Sequence, residues 1–249
     1  MRILVCENYD AMSKMAAQMI VSQITLNPNS ILGLATGGTA VGMYENLVEM
    51  HKKGLVDFSQ VKSFNLDEYY RLDPSNNQSY RYFMDTNLFN HVNIKKENTK
   101  VPNGMADDIE QECINYDESI KSSGGIDIQV LGIGNNSHIG FNEPTENFEN
   151  ITHIVELDES TRLANSRYFK SIDEVPEKAV TMGIGTIFRS KKIMLLASGK
   201  NKAQAIHDTI YGEIRPEIPS SILHLHKDVV LILDKEAAGL LDESDYKLV

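Results

Sequence analysis

Four short stretches carry side chains whose chemistry exceeds what a core or a solvated surface requires. In "GIGNNSHIGFNEP", residues 132–144, His138 lies in a glycine-rich stretch with Asn136 and Glu143 nearby, just after the apolar run Ile126–Leu131. Core histidines usually sit in periodic apolar segments. A histidine with polar partners suits proton transfer near neutrality, with a purely structural network as the alternative. A metal would need more ligands than one His and one Glu, and Asn is a poor ligand, so none is expected. In "SFNLDEYYRL", Asp67, Glu68 and Tyr69 follow another apolar run. Paired acids there can cap a helix, or set a carboxylate over a sheet as a general base.

The other two stretches suit anions. In "ATGGTA", Thr36, Gly37, Gly38 and Thr39 join an apolar run to a helical pattern. Two glycines let backbone N–H groups approach an anion, and a helix start adds partial positive charge. The stretch lacks the lysine and spacing of a P-loop, and a tight turn is the alternative. In "ASGKNKAQAIH", Lys200 and Lys202 fall in what reads as a first helical turn. Cations there oppose the helix dipole unless an anion binds between them and the amide groups. Together these residues describe a site for a phosphorylated small molecule with acid–base chemistry.

The elements that must position them alternate between strand and helix. Arg2–Cys6, Ile31–Ala35, Val61–Leu66, Ile126–Leu131, Lys192–Ala197 and Val229–Leu233 read as strands. Helical patterns follow them, over Ala40–Lys53, 81–92, 107–121 and 201–211, with a short helix after the last strand. Continuous apolar strands alternating with helices predict an α/β, Rossmann-like, doubly wound and mostly parallel sheet with helices on both faces. The polar stretch from Thr145 to about Glu177 breaks the rhythm and reads as a surface excursion or a mobile lid. Residues 1–249 are otherwise one α/β domain. The formal charge of −11 disfavours nucleic acid and anionic membrane as partners, though not a small anion held by local cations. Cys6 and Cys113 read as free thiols. With no signal peptide and no run near the ~20 apolar residues of a membrane span, the expected location is cytoplasmic.

Five segments in order, "LATGGTAVGMYENLVEMHKKG", "FNLDEYY", "GIGNNSHIGFNEP", "TRLANSRYF" and "ASGKNKAQAI", resemble the glucosamine-6-phosphate deaminase (glucosamine-6-phosphate isomerase) family. The resemblance runs to about residue 240. It implies a cofactor-independent isomerisation and deamination of glucosamine 6-phosphate to fructose 6-phosphate and ammonia. It also implies the hydrolase class, within amino-sugar catabolism and N-acetylglucosamine degradation. By the same resemblance the enolisation base falls on Asp67 and the ring-opening histidine on His138, with Glu143 and Asn136 orienting it. Phosphate contacts fall on Thr36, Gly37, Gly38, Thr39, Arg167 and Lys202.

Many family members carry aspartate where this chain has Asn136, which bears on the pH optimum rather than the reaction type. Some are hexamers activated by an N-acetylated sugar phosphate that basic side chains hold between subunits. The matching stretch here offers His153 and Val155, which implies hyperbolic kinetics and a monomer or small homo-oligomer. Rival readings are a phosphogluconolactonase-like enzyme, another sugar-phosphate isomerase, or a sugar-phosphate sensor module.

Overall fold

The computed structural model describes residues 1–166, 169 and 171–249, without the side chains of Ser160 and Ala164. From the N-terminus, β1 (Arg2–Cys6) leads to α1 (Tyr9–Leu26), and β2 (Ile31–Leu34) to α2 (Gly38–Lys52). Asn8 starts α1 by accepting the Ala11 N–H at 3.0 Å, and Gly54, at φ +72°, follows α2 in the left-handed conformation that helix ends favour. Next come β3 (Lys62–Asn65), β4 (Asp67–Tyr69), α3 (Tyr80–Asn87), β5 (Thr99–Lys100), α4 (Ile109–Ser122) and β6 (Ile128–Leu131). The chain continues through β7 (His153–Glu156), α5 (Glu159–Ser166), β8 (Lys178–Thr181) and α6 (Ile184–Phe188). It ends with β9 (Lys192–Ala197), α7 (Ala203–Tyr211), β10 (Val229–Asp234) and β11 (Lys247–Leu248).

The main sheet has the order β11-β1-β10-β9-β6-β2-β3-β5, and its paired neighbours are all parallel. Every residue of β2, β6 and β10 is buried, which is why these runs are apolar without alternation. From β2 the sheet grows one way, to β3 and β5; after β6 it grows the other way, to β9 and β10. The winding therefore reverses between β2 and β6. In open α/β sheets the crevice outside the carboxyl ends at such a reversal is where ligands bind.

A second sheet, in the antiparallel order β4-β8-β7, was not expected. Asp67 pairs with Thr181 and Glu68 with Val180, so the acid pair is itself part of a strand. Around this sheet Tyr69, Phe141, Leu157 and Ala179 form a small apolar cluster separate from the main core. The excursion 145–177 thus contributes β7 and α5 to a packed layer. Its strand is short and only half-buried, which leaves no alternation to read. After β10 the expected helix is replaced by turns over 235–240, because Asp234 Oδ1 accepts the Ala237 N–H at 2.8 Å and closes the chain into a turn. Among the described residues no helix is long and apolar enough to cross a membrane.

Candidate active site

The carboxyl ends of β2, β6 and β9 open into a cavity of about 760 Å³. Thr36, Gly37, Gly38 and Thr39 line it from the exit of β2, and Asn136 and His138 from the loop after β6. Asp67 lines it from β4, and Ser198 and Lys202 from the loop after β9. Glu143 stands behind His138. Arg167 lies outside the described residues. Lys200 is exposed and does not border the cavity, whereas Lys202 is half-buried.

The two anion-attracting loops share one construction. Gly37 at φ +103° and Gly199 at φ +93° occupy a region that favours glycine, and each immediately precedes a helical turn without a side-chain cap. By contrast α1, α3 and α4 are capped by Asn8, Ser79 and Asp108. The Gly37 loop is buttressed by Tyr9, whose hydroxyl donates to the Gly38 carbonyl at 3.0 Å and accepts the Gly42 N–H at 2.8 Å. The Gly199 loop is held by Asp234, which accepts the Gly199 N–H at 3.0 Å and the Ser198 hydroxyl. Neither Tyr9 nor Asp234 carries a local sequence signal; the sheet order alone brings them here.

The loop after β6 is folded tightly on itself. Gly134 N–H donates to the His138 carbonyl at 2.9 Å, and a Cβ on Gly134 would fall 2.5 Å from the imidazole Cε1. Ser137 takes φ +68° at the tip of this turn. His138 Nδ1 lies 3.0 Å from Glu143 Oε2, which also accepts Asn136 Nδ2 at 2.7 Å. Glu143 Oε1 accepts the Thr161 hydroxyl at 2.6 Å. Burial pushes the Glu143 carboxyl up, but its bonds to His138, Thr161 and Asn136, with the His138 charge, outweigh this and hold it below the ordinary range. A carboxylate at Nδ1 fixes that nitrogen as the donor and leaves Nε2 as an acceptor on a ring that borders the cavity.

The acid pair divides its work. Successive strand residues face opposite ways. Glu68 accepts the Tyr80 and Arg81 N–H groups at 2.8 and 2.9 Å and caps α3, while Asp67 faces the cavity. Asp67 is 6% exposed, and among the described residues no side chain or amide donates to its carboxyl. Burial, with the Glu68 charge adding to it, pushes Asp67 up to about 8. Thr161 and Tyr80, which also border the cavity, were not anticipated from the sequence. Among the described residues no three His, Cys, Asp or Glu side chains gather as a metal site.

The model of the family described as glucosamine-6-phosphate isomerases and 6-phosphogluconolactonase matches residues 7–232. Proteins named glucosamine-6-phosphate deaminase from Clostridium botulinum (strain Eklund 17B / Type B) and Clostridioides difficile (strain 630) are 68% and 65% identical, each over 100% of both chains. A solved structure of a monomeric glucosamine-6-phosphate deaminase superposes with a TM-score of 0.94 at 47% identity, covering 96% of this chain and 100% of its own. A 6-phosphogluconolactonase from Trypanosoma cruzi, at 20% identity and TM-score 0.77 over 96% of each chain, shares the fold. The expected hydrolase class is overturned: the close relatives are deaminases of an isomerase family in carbohydrate metabolism. The chain belongs to the glucosamine-6-phosphate isomerase and 6-phosphogluconolactonase family and stands among its glucosamine-6-phosphate deaminases.

Proposed function

We propose that the chain converts glucosamine 6-phosphate to fructose 6-phosphate and ammonia with Asp67 and His138 as its proton-transfer groups. One observation carries this reading: a single cavity is bordered by a carboxyl that accepts no hydrogen bond from the described residues, a carboxylate-oriented imidazole and two glycine loops suited to an anion. Phosphate would sit against the Thr36–Thr39 amides and Lys202, with Arg167 closing on it. The pyranose must first open. His138 Nε2 takes the proton of the anomeric hydroxyl and returns it to the ring oxygen, while Glu143, oriented by Asn136, supports the transient imidazolium. Asp67 then takes the proton from carbon 2, giving an enolamine, and delivers it to carbon 1, giving an imine at carbon 2. Water adds to that carbon, its oxygen becomes the ketone of fructose 6-phosphate, and the nitrogen leaves as ammonia. The carboxyl must be ionised for this step, and an amino group that arrives as ammonium favours the carboxylate.

Residues 1–249 act as one domain, and 145–177 act as a lid over the cavity. The monomeric relative supports a monomer or small oligomer. An activating N-acetylated sugar phosphate finds little to hold it on β7. His153 Nδ1 is 2.9 Å from the Ile151 carbonyl, and Val155 packs on the Tyr69–Phe141 cluster. Ammonia release from glucosamine 6-phosphate tests the reading, with hyperbolic rates that N-acetylglucosamine 6-phosphate leaves unchanged. No ammonia, with 6-phosphogluconolactone hydrolysed instead, overturns it.

A further inference from the structure

Among the described residues, helix α5 reaches the histidine–glutamate pair through one side chain. Thr161 is 6% exposed, borders the cavity and donates to Glu143 Oε1, while His138 and Asn136 share Oε2. His138 and Asn136 come from the same loop as Glu143. Thr161 comes from 18 residues further on, inside the segment read as the lid, on the helix whose Asn165 also borders the cavity. It is the one described hydrogen bond from α5 to the pair.

We propose that Thr161 is a positioning residue that ties the seating of α5 to the proton affinity of the His138–Glu143 pair. This deepens the acid–base reading above and rests on it. A donor on one carboxylate oxygen draws charge from the other. With the Thr161 bond made, Glu143 orients the imidazole while pulling less strongly on a second proton, so Nε2 stays free to accept one from substrate. With the bond unmade, Oε1 is left buried and unpartnered, and the pair takes up a proton more readily, at whichever atom it lodges. Seating α5 over a sugar phosphate would thus set the pair in its accepting state, and lifting α5 would release it.

Among the described residues the other charges facing the pair are few. Asp158, exposed just before α5, is close enough for Glu143 to raise and His138 to lower its proton affinity. Lys202, before α7, and Asp67, on β4, border the same cavity. Moving α5 would carry Asp158 away too, and losing that negative charge acts in the opposite direction to losing the hydroxyl. A change at Thr161 alone leaves Asp158 in place and isolates the hydrogen bond.

The test compares the full-length chain with Thr161→Val, which keeps the shape and removes the donor, and Thr161→Ser, which restores the donor. Two readouts are used: the pH dependence of kcat/KM for ammonia release, and carbon-13 histidine NMR with the His138 signal assigned by its loss in His138→Gln. In Thr161→Val the lower-pH break in kcat/KM and the His138 titration midpoint move upward by about half a pH unit or more, and in Thr161→Ser both stay within about 0.2 of the parent. Unmoved values in Thr161→Val, or equal movement in both variants, overturn the proposal. Should Thr161→Val fail to fold by circular dichroism, Thr161→Ala is read the same way against Thr161→Ser. A parent chain that releases no ammonia overturns the functional reading instead, whereas an active parent with an unmoved Thr161→Val overturns this inference alone.

Discussion

Asp67 and Glu143 serve one cavity, Asp67 on its wall and Glu143 behind His138, and they are almost equally sealed, at 6% and 5% exposed. Burial raises the proton affinity of both. What separates them is their donors. Glu143 receives hydrogen bonds from His138, Asn136 and Thr161, and the result is a carboxylate. Asp67 receives none from the described residues, faces the added charge of Glu68, and is held as a carboxylic acid up to about pH 8. Two buried acids driven apart in this way can hold different roles in one reaction: one permanently charged to steer an imidazole, one poised to change its proton. Partnering, rather than depth, sets which is which.

The largest expected effect comes from removing the poised acid. Asp67→Asn should lower kcat by about 10³- to 10⁴-fold, near the upper range for general acid–base catalysis, while leaving affinity for fructose 6-phosphate close to that of the parent. Solvent deuterium entering carbon 1 or carbon 2 at the parental rate would remove Asp67 from the mechanism. The same variant tests the proton affinity itself. In the parent, the folded state keeps a proton on Asp67 that the unfolded chain releases near pH 4, so stability falls as pH rises from about 4 to 8. Asn does not titrate. The melting-temperature advantage of Asp67→Asn over the parent should therefore be larger at pH 9 than at pH 5. An equal difference at both values would mean that Asp67 is not held protonated.

A smaller effect should follow from Lys202→Ala, which leaves the hydrogen-bond donors of Glu143 in place. Loss of a charge-assisted contact to phosphate costs about 1.5–3 kcal/mol. KM should rise by about 10- to 100-fold, with kcat changed less. Unchanged affinity for fructose 6-phosphate in this variant would move the phosphate away from the loop after β9.

Much of this contrast could be read from residue types, and part of it could not. The strand runs, the glycine loops and the surroundings of His138 are local signals, and the sheet order places them as the pattern implies. Asp67 and Glu68 were visible as a pair. Their division of labour was not, because "DEY" is too short to announce itself as a strand. Once β4 pairs with β8, alternation sends Glu68 to α3 and Asp67 to the cavity. Tyr9, Asp234 and Thr161 act across 29 residues to Gly38, 35 to Gly199 and 18 to Glu143. Contacts over such separations are made by topology and leave no spacing to recognise. The small sheet escaped notice for a related reason: β7 and β8 are four-residue strands, one half-buried and one nearly all buried, so neither alternates.

The finest adjustment of the contrast lies at Asn136. Its amide nitrogen is 2.7 Å from Glu143 Oε2, the same oxygen that faces His138 Nδ1. Asn136→Asp turns that donor into an acceptor and sets a second carboxyl against the first. Two carboxylates at this distance resist ionising together, so one proton would be retained between them or on the imidazole to a higher pH than in the parent. The lower-pH break in kcat/KM should move upward by about one unit, a change that belongs to the coupled group rather than to any one residue. Above that break the variant should turn over at nearly the parental rate, because an orienting carboxylate remains at Nδ1 and the cavity wall with Asp67 is untouched. Asp67, which burial pushes up to about 8, should contribute a second break that this change leaves in place. A lower break that does not move would show that Asn136 contributes orientation alone. Movement of both breaks together would show that the two carboxyls are electrostatically one unit, and the separation of Asp67 from Glu143 would fail.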